Sequence, residues 1–133
     1  MRRCARVVAV TAVMALTLPV SACASSAEKC EEAFAAAATA VPGVISATWD
    51  CDNGFGGGWQ RGDVRIAAGD KGKAIAVMKD VLRAFAASPD LEDGWATPQK
   101  YTNNDGTIVV GANDLGFNGV PNVGQVRERY GVG

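Results

Sequence analysis

The chain has 133 residues, with 13 basic and 14 acidic side chains and no histidine. That length holds one domain with a true core and is short for two, and the near-neutral balance lacks the basic stripe of a nucleic-acid binder. The missing imidazole removes Ser-His-Asp and Cys-His nucleophiles and His-ligated zinc together; no other pattern in the chain leads us to expect a metal or a cofactor.

The first element is a leader. Arg2, Arg3 and Arg6 precede an apolar run from Val7 to Val20, which the small residues Ser21 and Ala22 close. Positive patch, short apolar stretch and small residues before a cut site make up an export signal. The run of about 14 residues falls short of the roughly 20 that a membrane-crossing helix needs, and Thr11, Thr17 and Pro19 weaken a spanning reading further. Val20-Ser21-Ala22-Cys23 resembles the lipobox of bacterial lipoproteins, with Val20 where leucine is commonest. The resemblance covers the leader alone. It implies cleavage before Cys23, a thioether-linked diacylglycerol on its sulfur and often a further acyl chain, such as palmitate, on its amine. Two or more chains give stable anchoring. Ala22-Cys23-Ala24 also fits the small-x-small site of ordinary signal peptidase, which would release the chain before Ser25. The chain therefore divides into a signal peptide at 1–22, a short tether at 23–29, an α+β domain at 30–111 and an irregular C-terminal segment at 112–133.

Removing the leader takes away three arginines and no acid, which leaves a mildly acidic surface. Cys4 departs with the leader and Cys23 is the lipid site. Cys30 and Cys51 remain as an even pair in an oxidising compartment, where a disulfide is expected. Closing that loop of about 22 residues contributes about 3 kcal/mol in the chain-entropy model.

Ser25 and Glu28 have capping-box spacing, and Cys30, Phe34, Ala38 and Val41 follow on one helical face. Pro42-Gly43 stops that helix. From Val44 to Cys51 the pattern alternates: Ile45, Ala47, Trp49 and Cys51 on one side, Ser46, Thr48 and Asp50 on the other. Both cysteines thus sit on apolar faces that must meet. A glycine-rich connector (Gly54-Phe55-Gly56-Gly57-Gly58) leads to a second strand from about Trp59 to Ala68, and a helix follows from about Lys71 to Ala87 with Ile75, Met78, Leu82 and Phe85 as its stripe. Trp95 to Tyr101 reads as a strand that Pro98 confines to an edge. Asn104-Asp105-Gly106 turns into Thr107 to Val110, an apolar run suited to a central strand. A short strand near Gln125 to Tyr130 completes the reading. Helix-strand-strand, twice, predicts a four-stranded antiparallel sheet with both helices on one face, a permuted ferredoxin-like plan.

Chemistry-bearing patterns are sparse. Asp50 with Asp52, Glu92 with Asp93, and Asp105 are the carboxylate candidates for acid-base work, with a solvated hairpin shoulder as the plain alternative for the first pair. Asp50 to Gly54 resembles the start of a calcium loop, but the ligands expected further on are missing. Ala67 to Ala74 lacks the first Gly and the final Ser/Thr of a phosphate loop. Arg61-Gly62-Asp63 lies inside a strand pattern and reads as coincidence. The aromatics are sharper: Phe55 and Trp59 border the glycine connector and, with Arg61 and Arg65, form the expected partner-binding group. The leading expectation is a non-enzymatic, lipid-anchored domain on the extracytoplasmic face of the cell membrane. Its partners would be the membrane and an envelope protein or wall glycan. An acidic-residue hydrolase and a freely secreted binding domain are the alternatives.

Overall fold

The computed structural model describes residues 25–54 and 58–131. The leader, Cys23 and Phe55 lie outside the described residues. The chain is α+β, with three α-helices and a four-stranded sheet among the described residues.

Helix α1 (Ser26–Thr39) starts on a complete capping box: the Ser25 hydroxyl accepts from the Glu28 amide at 3.1 Å, and Glu28 Oε1 accepts from the Ser25 amide at 3.1 Å. Two of the helix's orphan amides are thereby satisfied. Cys30, Phe34 and Ala38 form its fully buried stripe. The chain reverses at Pro42-Gly43 into β1 (Val44–Asp52), which pairs antiparallel with β2 (Trp59–Ile66). Ala47, Trp49 and Cys51 turn toward the helices as expected, but Ile45 does not: it is 52% exposed. A register irregularity between Val44 and Ser46 explains this. An extra residue inverts the two-residue alternation, so Val44 takes the inward place and Ile45 faces water.

Helix α2 (Lys71–Ala87) begins where Asp70 Oδ1 accepts from the Lys73 amide at 2.7 Å. Its buried face is wider than the expected stripe. Ala74, Val77 and Val81 join Met78, Leu82 and Phe85, while Ile75 is only half-buried.

The sheet departs from the antiparallel plan. Its order is β1-β2-β3-β4, with β3 (Tyr101–Asn103) parallel to β2 and β4 (Val109–Val110) antiparallel to β3. It is therefore mixed rather than antiparallel, and the ferredoxin-like strand arrangement does not hold. Parallel neighbours need a crossover of a dozen or more residues, and the 17-residue α2 supplies it between β2 and β3. Edge and centre are exchanged as well. The Ile-Val-Val run ends in the edge strand β4, where Val109 is 50% exposed, and β3 is interior. Residues 95–100, expected as a strand, make only a single bridge, Ala96 with Asn122. Pro98 lacks the amide that a ladder requires. Pairing resumes at Tyr101, and Asn103 closes the hairpin by accepting from the Ile108 amide and donating to the Ala68 carbonyl.

The C-terminal segment carries a 3-10 turn (Ala112–Leu115) and a helix, α3 (Val123–Tyr130), where a short strand is expected from the sequence. Asn122 and Gln125 cap α3 reciprocally, and Val123 and Val126 enter the core. Arg127 then joins α3 to α2. Its guanidinium donates to the carbonyls of Ala86, Ser88 and Leu91 and pairs with Asp93. Those carbonyls lie at and just beyond the end of α2, where positive charge is favoured.

At the centre, Trp49 lies parallel to Phe34 with ring centroids 4.9 Å apart, and Phe85 meets both edge-on. Gly62, opposite Trp49 on β2, makes this possible: a Cβ there would fall 2.5 Å from the indole. Gly62→Ala should therefore displace Trp49 and cost about 1–3 kcal/mol, as overpacking does. Urea unfolding checks this, and an unchanged midpoint would contradict it. Tyr101 is fully buried, and its hydroxyl has no hydrogen-bond partner among the described residues. Burial, with the proximity of Tyr130 as a lesser cause, holds that hydroxyl far above the ordinary phenol range, so it stays protonated.

Candidate functional site

The helices cover one face of the sheet and leave the other open. On that open face β1 contributes Ser46, Thr48, Asp50 and Asp52, and β2 contributes Trp59, Arg61, Asp63 and Arg65. The antiparallel register sets Asp52 opposite Trp59, Asp50 opposite Arg61 and Ser46 opposite Arg65. Sequence reading placed Trp59, Arg61 and Arg65 together, and all three lie on this surface.

Trp59 is 37% exposed. Arg61, two residues along the same strand face, lays its guanidinium 4.3 Å from the Trp59 ring centroid. This cation–π contact contributes on the order of 0.5–1 kcal/mol at an exposed site. Arg65 lies 3.9 Å from Asp63 with both side chains well exposed, an ion pair worth little in water.

The ribbon carrying these residues is held firmly at one end. The disulfide Cys30–Cys51 joins the first turns of α1 to the last part of β1 with Cα atoms 6.3 Å apart. Beside it, Glu31 accepts a hydrogen bond from the Cys51 amide at 3.0 Å. One residue further, Asp52 Oδ1 accepts from the Gly54 amide at 2.8 Å and starts the turn. Gly58 closes it with φ +68, and a Cβ there would stand 1.7 Å from the Asp52 carbonyl oxygen, which only glycine avoids.

The carboxylate candidates do not converge. Asp50 and Asp52 stand exposed on a flat hairpin, facing Arg61 and Trp59 rather than another acid across a cleft. Asp93 is paired with Arg127, and Asp105 lies in the β3–β4 turn, where the Thr107 hydroxyl and then its amide hold the carboxyl below the usual carboxylate range. Among the described residues no group of three His, Cys, Asp or Glu side chains could hold a metal ion. Asp70, in the glycine-lysine loop, is occupied as the cap of α2.

A shallow groove of about 980 Å³ runs between the end of α2 and α3, lined by Ser88, Asp93, Asn122, Arg127 and Glu128 among others. Its cation is already spent on backbone carbonyls and Asp93. Sequence reading singled out neither Arg127 nor the packing role of Gly62, because both act through residues distant in the chain. No protein-family model, no curated protein and no solved structure matches this chain.

Proposed function

We propose that the chain is the precursor of a lipid-anchored extracytoplasmic domain that binds an envelope partner through its open sheet face and has no catalytic role. The observation that carries this reading is the continuity between the lipobox-like cysteine and the folded domain. Ser25, the N-cap of α1, follows Cys23 with only Ala24 between them. The tether expected at 23–29 is thus largely taken up by helix, and a tail on Cys23 would hold the domain against the bilayer. A disulfide between Cys30 and Cys51 supports an oxidising compartment. No helix among the described residues is long and apolar enough to cross a membrane.

Labelled palmitate fed to cells that express the full chain tests the anchor. Label should enter the wild type and be lost in Cys23→Ser, with the protein moving from the membrane fraction to the soluble one. A wild-type chain without label, or a Cys23→Ser chain that keeps it, would overturn acylation at this residue. Release of wild type with Ser25 at its N-terminus would instead support free secretion.

A further inference from the structure

We infer that the end of the β1–β2 ribbon bearing Trp59 and Arg61 is a second contact with the phospholipid interface, beside the acyl tail, which leaves the rest of the open face, from Thr48 and Asp63 to Ser46 and Arg65, to the envelope partner. The inference rests on anchoring at Cys23 and adds to it an orientation of the domain. Three observations lead there.

Placement comes first. From Ser25 to Cys30 the helix rises about 7.5 Å at about 1.5 Å per residue. The disulfide sets Cys51 level with Cys30, across 6.3 Å between Cα atoms. From Cys51 the ribbon runs on past Asp52, in the direction of the α1 N-terminus, at about 3.3 Å per residue. Trp59 pairs with Asp52 on that stretch. Ala24 and Ser25 together span at most about 7 Å, so the α1 N-terminus and the ribbon end descend to the headgroups side by side.

Chemistry comes second. An exposed indole carrying a guanidinium on its face suits the boundary between acyl chains and phosphates: the ring enters the apolar side and the cation meets a phosphate. Of the exposed large apolar residues, Ile45 at the start of β1 and Val109 on the far edge strand lie away from this end, Val120 lies in the loop before α3, and Trp59, the one aromatic among them, lies on the ribbon end.

Charge comes third and decides the kind of surface. Glu28, Glu31, Glu32, Asp50 and Asp52 outnumber Lys29 and Arg61 near this end. Glu28 and Glu31 are occupied with backbone amides, yet the balance remains acidic. General attraction to anionic lipid therefore does not drive the contact. It depends on the indole, forms on zwitterionic phosphatidylcholine and changes little with salt.

The test uses the chain from residue 23 onward. With Cys30 and Cys51 bridged, Cys23 is its remaining thiol, and it can be coupled to maleimide-bearing phosphatidylcholine vesicles that contain lipid brominated near the headgroup. Indole emission should be quenched relative to unbrominated vesicles, and the quenched component should vanish in Trp59→Phe, which leaves Trp49 and Trp95 in place. Equal quenching in both proteins, or none in the wild type, would overturn the contact. An emission change that appears only as protein crowds the vesicle, without bromine quenching, would assign this end to a second copy and overturn it too. Because the tail is attached chemically, the outcome is independent of palmitate labelling in cells, so failed docking and failed anchoring are told apart.

Discussion

Replacing Cys30 and Cys51 together by alanine should lower the unfolding free energy by about 2–5 kcal/mol. The bridge closes a 21-residue separation that contains most of α1, the Pro42-Gly43 reversal and nearly all of β1. Opening it returns that loop's conformational freedom to the unfolded chain. Both residues are buried, so alanine also leaves small voids where the sulfurs pack. Locally, the hydrogen bond from the Cys51 amide to Glu31 then rests on packing alone, and the ribbon end that carries Trp59 loses its fixed position beside α1. Urea unfolding of the oxidised wild type against the double variant measures the loss, and reductant added to the wild type should reproduce most of it. An equal midpoint for all three samples would show that the bridge contributes nothing.

Phe34→Ala should cost about 3–5 kcal/mol, the range for removing a buried aromatic side chain. Phe34 is wholly buried, parallel to Trp49, edge-on to Phe85 at 5.2 Å and 5.9 Å from Trp95. Its removal leaves a cavity walled by two indoles and a phenyl ring. Those walls sit on α2, β1 and the segment before β3, and β1 is tied to α1 by the disulfide, so they cannot collapse freely into the space. Phe34→Leu keeps most of the apolar volume and should cost clearly less. Urea unfolding gives the free energies, and near-ultraviolet circular dichroism reports whether Trp49 keeps its fixed environment. A Phe34→Ala loss below about 1 kcal/mol, typical of an unremarkable site, would contradict the central place given to this ring.

Caps and stripes made α1 and α2 legible. Ser25 with Glu28 starts one helix, Asp70 stands before the other, and apolar residues at spacings of three and four mark the buried faces. These signals act within a few residues, so no tertiary contact is needed to find them. The Cys30–Cys51 pair was legible for a related reason: both cysteines fall on apolar faces of adjacent elements, and such faces meet. Arg61 and Arg65 were legible as one face of a strand because side chains alternate with a period of two, whereas Trp59 was marked only by its place beside the glycine connector.

Other features were hidden by their shortness or their distance in sequence. A three-residue β3 and a two-residue β4 offer too few positions for alternation to register. At α3 local signals did exist, since Asn122 and Gln125 have capping spacing and Val123, Val126 and Tyr130 recur at spacings of three and four, but an eight-residue segment gives that stripe only two turns in which to register. Arg127 shows its purpose only when the carbonyls of Ala86, Ser88 and Leu91 are brought to it from about 40 residues away in the chain.

Local order thus decided the starts of α1 and α2, the inward face of β2 and of β1 beyond its bulge, the cysteine pairing and the leader's resemblance to a lipobox. Those depend on spacing, caps and turns, which operate over a handful of bonds. Folding in three dimensions decided that β3 lies parallel beside β2, that β4 takes the edge, that Gly62 makes room for Trp49, and that Trp59 stands at the same end of the domain as Ser25. Each of these is a choice among partners far apart in the chain, settled by which arrangement buries the most apolar surface and leaves the fewest polar groups unpaired.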